Sequence, residues 1–209
     1  MPLVCPTVTP DNTPASFDIQ LKRILPFARR VHLDLMDGEF ANPKSIGLHE
    51  LYWPDDLRVD LHIMYQHPSR YLKTLCSLQP FSVIVHAESD GDFMAFANTL
   101  HEYGIGVGVA LLPETSVEAI VPALEMIDHV LIFSGRLGHY GGIADMRLLQ
   151  KAKQALALKP DLEIGWDGGI NASNVRQLTA GGVDVLNVGG FIQHAVDPER
   201  AYSQLATLI

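Results

Sequence analysis

Two residue pairs carry the polar chemistry of this chain: His32 with Asp34, and Asp60 with His62. Each pair is spaced two apart inside a short apolar run. On a β-strand that spacing sends both side chains to one face, while Leu33 and Leu35 take the other. A third signal, Asp167-Gly168-Gly169, closes a later apolar run. Imidazole nitrogens and carboxylate oxygens are ligands for zinc, manganese, ferrous iron or cobalt. A lone histidine at a strand end is more often a hydrogen-bonded core residue. Four such groups at ends of strands that share one mouth read better as a metal site.

That convergence requires a particular scaffold. Apolar runs at 3–8, 31–35, 57–63, 81–86, 106–112, 129–133, 162–166 and 183–188 read as strands. Helical patterns fall between them at 17–29, weakly at 49–53, and at 69–78, 92–103, 116–125, 144–158, 174–179 and 198–208. Thr9–Ser16 reads as a loop, and Thr115–Glu118 and Asn171–Asn174 as capped helix starts. Strict alternation within 209 residues predicts one (β/α)8 TIM barrel over residues 1–209, with an open doubly wound sheet as the alternative. Active sites of such barrels lie at the C-terminal strand ends, where Thr7, His32, Asp34, His62, His86 and Asp167 all fall. Glycine pairs mark the same end: Gly141-Gly142 after strand 6, Gly168-Gly169 after strand 7 and Gly189-Gly190 after strand 8. Glycine lets backbone N–H groups approach a phosphate closely, so these positions are the expected phosphate grip.

Composition narrows the function classes. The formal net charge is −9, from 15 Lys+Arg against 24 Asp+Glu, which speaks against nucleic acid as a partner. Cys5 and Cys76 lie far apart, outside metal-type spacing, and suit reduced thiols of the cytoplasm. No run reaches the length of a membrane span, and the first residues lack the features of a signal peptide.

The stretch from His32 to Phe40 resembles the strand-2 motif of the ribulose-phosphate 3-epimerase family. Asp60-Leu61-His62-Ile63-Met64, Val85-His86-Ala87-Glu88, Gly106 to Thr115 and Trp166 to Asn171 match it in order. The resemblance implies one divalent metal ion, zinc favoured, held by His32, Asp34, His62 and Asp167. Asp34 and Asp167 would also be the acid and base of a proton transfer at C3 of a ketose phosphate, foremost D-ribulose 5-phosphate. Thr7, Met36, His62 and Met64 would touch the substrate near the reacting carbons, and a homo-oligomer is implied. The related decarboxylases carry a lysine where this chain has His62, which disfavours that chemistry.

The departures gather at the phosphate end. Gly135 to Ile143 replaces the family's Asn-Pro-Gly-Phe-Gly-Gly-Gln loop, Gly189-Gly190 replaces Gly-Ser, and Phe133 stands near a lost methionine. Arg136 is a candidate replacement phosphate contact. Two rivals therefore stand beside the pentulose reading: an epimerase for a hexulose 6-phosphate, and a non-catalytic sugar-phosphate binder.

Overall fold

A computed structural model describes residues 1–139 and 141–209. Eight parallel strands form a closed ring: β1 (Leu3–Val8), β2 (Arg30–Met36), β3 (Arg58–Met64), β4 (Ser82–His86), β5 (Gly106–Leu111), β6 (His129–Phe133), β7 (Glu163–Asp167) and β8 (Val185–Val188). Pairing of β1 with both β2 and β8 closes the barrel and removes the open-sheet alternative.

The α-helices are α1 (Pro14–Ile24), α2 (Leu72–Leu78), α3 (Phe93–Glu102), α4 (Leu149–Leu158), α5 (Val175–Ala180), α6 (Gly190–Gln193) and α7 (Pro198–Ala206). Two departures from strict alternation have proline as their cause. The segment after β5, Val117–Met126, is a 3-10 helix with Pro122 inside it. Proline lacks the N–H and crowds the preceding turn, which disfavours a regular α-helix there. After β2 only a 3-10 turn forms, at Leu48–Glu50, in a connection that holds Pro43 and Pro54.

Helix α1 begins earlier than its apolar pattern suggests, so Pro14 to Ser16 are helical rather than loop. Thr13 accepts a hydrogen bond from Ser16 N–H, and Pro14 fits the first helical turn, where a missing N–H costs nothing. Pro26 ends the same helix. Helix α5 is entered through a turn in which Asn171 accepts from Ser173 N–H, and the Asn174 side chain does not cap it.

Period-2 alternation divides the interior from the shell. Leu33, Leu35, Leu61, Ile63, Val83 and Val85 face outward and pack with Phe17, Leu21, Phe96 and Leu178 of the helices. The inward row on β2 is Arg30, His32, Asp34 and Met36, and register sets them against Arg58, Asp60, His62 and Met64 of β3. Ile84, Ala110 and Leu131 form an apolar plug across the middle of the ring.

Below the plug lies a buried ionic network. Arg30 Nε donates to Asp60 Oδ2 at 2.7 Å, while its Nη1 and Nη2 grip both oxygens of Glu163, each at 2.7 Å. Ser82 Oγ donates to Asp60 and His129 Nδ1 to Glu163, at 2.7 and 2.8 Å. Gly165 makes room for this: a Cβ there would sit 2.4 Å from His129 Nε2. Burial alone would raise the Glu163 carboxyl. The bonds from Arg30 and His129 outweigh it and hold the group well below the usual carboxylate range.

A carboxylate with a depressed folded-state pKa stabilises the fold above its unfolded value, near 4.3, and loses that contribution as pH falls. Thermal unfolding of Glu163→Gln against the parent is therefore expected to show a stability gap at pH 7 that narrows steadily below about pH 4.3. Arg30→Leu strands Asp60 in the interior and is expected to cost about 3–5 kcal/mol, measured by denaturant unfolding.

Candidate metal and sugar-phosphate site

The register between β2 and β3 builds the upper interior. Asp34 is the direct Cα partner of His62, so their inward side chains meet. Asp34 Oδ1 lies 2.9 Å from His62 Nδ1 and 3.2 Å from His32 Nε2, and Oδ2 accepts from Thr9 Oγ1 at 2.8 Å. Asp167, from the end of β7, completes the set. One ligand atom from each of His32, Asp34, His62 and Asp167 lies within 4.8 Å of all the others. The four residues expected from sequence do come together.

Their donor chemistry fits a divalent cation. His32 is fully buried, and neither of its ring nitrogens has a good hydrogen-bond partner among the described residues. A buried polar atom left in that state is costly unless something else meets it. Burial would raise Asp34, yet the His32 ring 3.2 Å away and the hydrogen bond from His62 prevail and hold it far below the usual carboxylate range. Asp167 moves the other way: burial first, then the charge of Asp34, push it up to about 7. Burial lowers His62 to about 3, against the pull of Asp34, so that ring is neutral at pH 7.

Behind His62 runs a chain of partners whose geometry bears on metal binding. His62 Nε2 is 2.9 Å from His86 Nε2, and His86 Nδ1 is 3.4 Å from Glu88 Oε2. Glu88 Oε1 accepts from Leu112 N–H at 3.2 Å and from the Thr115 hydroxyl. Burial would raise Glu88, but His86 and Thr115 keep it below its ordinary value and so ionised. The two ring nitrogens of His62 are thus engaged from opposite sides, Nδ1 by Asp34 and Nε2 by His86, which fixes the orientation of the ring. Phe133 packs against both rings, with centroids 6.1 Å from His62 and 5.9 Å from His86.

Above the cluster opens a cavity of about 280 Å³. Thr7, Asp34, Met64 and Asp167 form part of its wall, together with all six expected glycines, Gly141, Gly142, Gly168, Gly169, Gly189 and Gly190. Arg136, His139 and His194 line it as well. Met36 and His62 are not on this wall. Met36 is buried against Ala41, Met64, Phe40 and Leu137, and His62 has no exposed surface. Gly168 and Gly169 have φ of +113° and +71°, and a Cβ on them would meet Gly135 N at 2.4 Å and Ala144 N at 2.2 Å. The loops after β6 and β7 therefore touch backbone to backbone, which only glycine permits.

Asp37 has a structural duty. It accepts from Glu39 N–H, Phe40 N–H and Gln66 N–H at 2.8, 2.8 and 2.7 Å, which ties the β2 loop to the β3 loop. Three contributors escaped the sequence reading: Thr9 on Asp34, Leu137 over the two methionines, and Asn187. The last had a legible signal, as the one polar residue in the run Val185–Val188.

If the His86 chain orients His62, removing it weakens metal retention without dissolving the barrel. His86→Leu is expected to lower metal affinity about 10–100-fold, read by competition with a chelator on folded protein.

The comparisons with known proteins agree with this geometry. Ribulose-phosphate 3-epimerase of Schizosaccharomyces pombe is 28% identical over 198 residues, covering 91% of this chain and 87% of that protein. The Mycobacterium leprae and Bacillus subtilis proteins of the same name are 30% and 29% identical, each across 84% of this chain and 81% and 84% of their own lengths. Among solved structures, 3-hexulose-6-phosphate synthase from Salmonella typhimurium superposes with a TM-score of 0.71 at 15% identity, over 99% of this chain and 97% of that one. KGPDC from Streptococcus mutans gives 0.75 at 11% identity, over 100% and 97%. At such identities these two speak for the barrel alone. A sequence model described as "Ribulose-phosphate 3 epimerase family" matches residues 12–193, and the chain belongs to that family.

Proposed function

We propose that this protein epimerises C3 of a pentulose phosphate, interconverting D-ribulose 5-phosphate and D-xylulose 5-phosphate. One observation carries the reading. Two carboxylates share a buried cluster with two histidines, one held ionised and the other pushed up to about 7, and both border a glycine-walled cavity. Epimerisation removes a proton from one face of a carbon and returns one to the other. It needs a base and an acid together, and paired groups whose pKa values are pushed apart supply them.

In this reading Asp34 and Asp167 are the two proton carriers. Asp34, held ionised by His32 and His62, accepts the C3 proton from one face of the carbon. Asp167, raised to about 7 in the metal-free protein and so able to carry a proton near neutrality, delivers one to the other face. In the reverse direction the roles exchange. His32, Asp34, His62 and Asp167 are the ligands we assign to a divalent cation, zinc by preference. When bound, such a cation supplies Lewis acidity that offsets the negative charge developing on the oxygens at C2 and C3. The histidines serve as neutral ligands and leave proton movement to the carboxylates.

Thr7 and Met64 border the reacting carbons, with Met36, the register partner of Met64 on β2, packed against it. The N–H groups around Gly141, Gly142, Gly168, Gly169, Gly189 and Gly190 hold the phosphate. Phosphate binding remote from the reacting carbon fixes the sugar in register and so contributes to orientation. Among the described residues no helix is long and apolar enough to cross a membrane, and a water-borne sugar phosphate suits the cytoplasmic setting read from the thiols. Assembly into a homo-oligomer is part of the same proposal, by family likeness.

In deuterium oxide, metal-loaded protein is expected to exchange the C3 hydrogen of D-ribulose 5-phosphate, read by NMR. Absence of exchange with a filled metal site would overturn the assignment and favour the non-catalytic binder. Asp167→Asn is expected to keep its thermal unfolding profile while turnover falls by about 10³-fold or more. Near-normal turnover in that variant would remove the two-carboxylate scheme.

A further inference from the structure

The wall of the cavity holds a side chain that neither the ligand cluster nor the phosphate grip accounts for. Asn187, on β8, is 2% exposed. Neither its Oδ1 nor its Nδ2 has a hydrogen-bond partner among the described residues, and the residue lines the cavity. A buried carboxamide has two donor hydrogens and an acceptor oxygen, and almost every such group in a folded protein is satisfied. An isolated one on a cavity wall is a binding group waiting for its partner.

Register locates it. Asn187 is the Cα partner of Asp167 on one side and of Cys5 on the other. Thr7, two residues beyond Cys5 on β1, is also 2% exposed, and its hydroxyl likewise lacks a partner among the described residues. Two residues after Asn187 come Gly189 and Gly190. Asn187 thus stands between the carboxylate pair and the glycine end. The neighbouring position is already secured: Gln193 Nε2 donates to Thr7 O at 3.0 Å, which ties α6 to β1 and keeps this wall in place without using Asn187.

We infer that Asn187 is a specificity residue that recognises the C4 hydroxyl of the substrate. The inference rests on the pentulose phosphate reading above. If C2 and C3 lie at the carboxylates and the C5 phosphate at the glycines, C4 is the only carbon between them, and it carries one hydroxyl. A hydroxyl both donates and accepts, so it can meet either end of the carboxamide. A site built to hydrogen-bond a substrate hydroxyl discriminates strongly against an analogue that lacks it, because the protein group is then left unmet. This assigns Asn187 no part in proton transfer. It sets which sugar chain is held.

The test compares D-ribulose 5-phosphate with its 4-deoxy analogue on metal-loaded protein. The parent is expected to prefer the natural substrate about 100-fold in kcat/KM. Asn187→Leu, of similar volume, is expected to lose about 10–100-fold on the natural substrate and to handle the analogue nearly as the parent does, so the preference collapses. A merely structural role would slow both compounds equally. A preference unchanged in Asn187→Leu, or absent in the parent, overturns the inference. Should Asn187→Leu fail to fold, Asn187→Val is read in its place. If the parent turns over neither compound, the epimerase reading fails. The dissociation constants of the same two compounds, by calorimetry, then decide the Asn187 inference alone: a preference in the parent that the variant loses supports it, and equal affinities overturn it.

Discussion

The site depends on one constraint, the parallel register of β2 with β3. Because side chains alternate on a strand, a slip of one residue would turn Asp34 and His32 outward into the helical shell and bring Leu33 and Leu35 inside. The observed pairing of Asp34 with His62 leaves no such freedom. It is fixed from below as well as above. Arg30, on the same inward row, is clamped by Asp60 of β3 and Glu163 of β7, so the two strands that supply His32, Asp34 and His62 are joined beneath the plug to the strand that supplies Asp167. A charged network at the lower end of the barrel thus holds three strands whose other ends carry the candidate site.

Both ends of the barrel bury charge, but they resolve it differently. Below, Arg30 meets Asp60 and Glu163 at hydrogen-bond distance and His129 Nδ1 meets Glu163, with His129 Nε2 left without a partner among the described residues. Above, two carboxylates and two imidazoles face one another, with both nitrogens of His32 lacking a hydrogen bond among the described residues and one carboxyl driven towards its neutral form. The lower network is held by its own ion pairs. The upper one gathers four candidate ligand atoms within 4.8 Å of one another beneath a cavity, the form that a preorganised site takes before it is filled.

Much of this was legible in the sequence. His-x-Asp and Asp-x-His on adjacent apolar runs identify one inward face because strand geometry has period 2, and Asp-Gly-Gly marks a strand end whatever lies around it. Other features were not legible because they depend on partners far away in the chain. Nothing near His86 announces that its ring sits between His62 and Glu88, with 24 residues separating it from the former. Met36 sits in the most informative motif of the chain, yet Leu137, from a loop a hundred residues on, covers it. The start of α1 was missed for a local reason: Thr13-Pro14 carries the cap and first turn where the apolar rhythm has not yet begun.

The backbone contact between the loops after β6 and β7 has an evolutionary consequence. The loop after β6 lines the cavity through Gly135, Arg136, Gly138, His139, Gly141 and Gly142. That loop rests, at glycine-only distance, on Gly168 and Gly169, the two residues that follow Asp167 in the chain. The cavity wall and the strand end that carries Asp167 are therefore not separable modules here. A lineage that reshapes the loop must do so around an immovable seam, or it displaces Asp167. Gly138 in the same loop is pinned too, since a Cβ there would sit 2.2 Å from Asn42 O, so diversification of this barrel is channelled to the side chains of Arg136 and His139, which line the cavity.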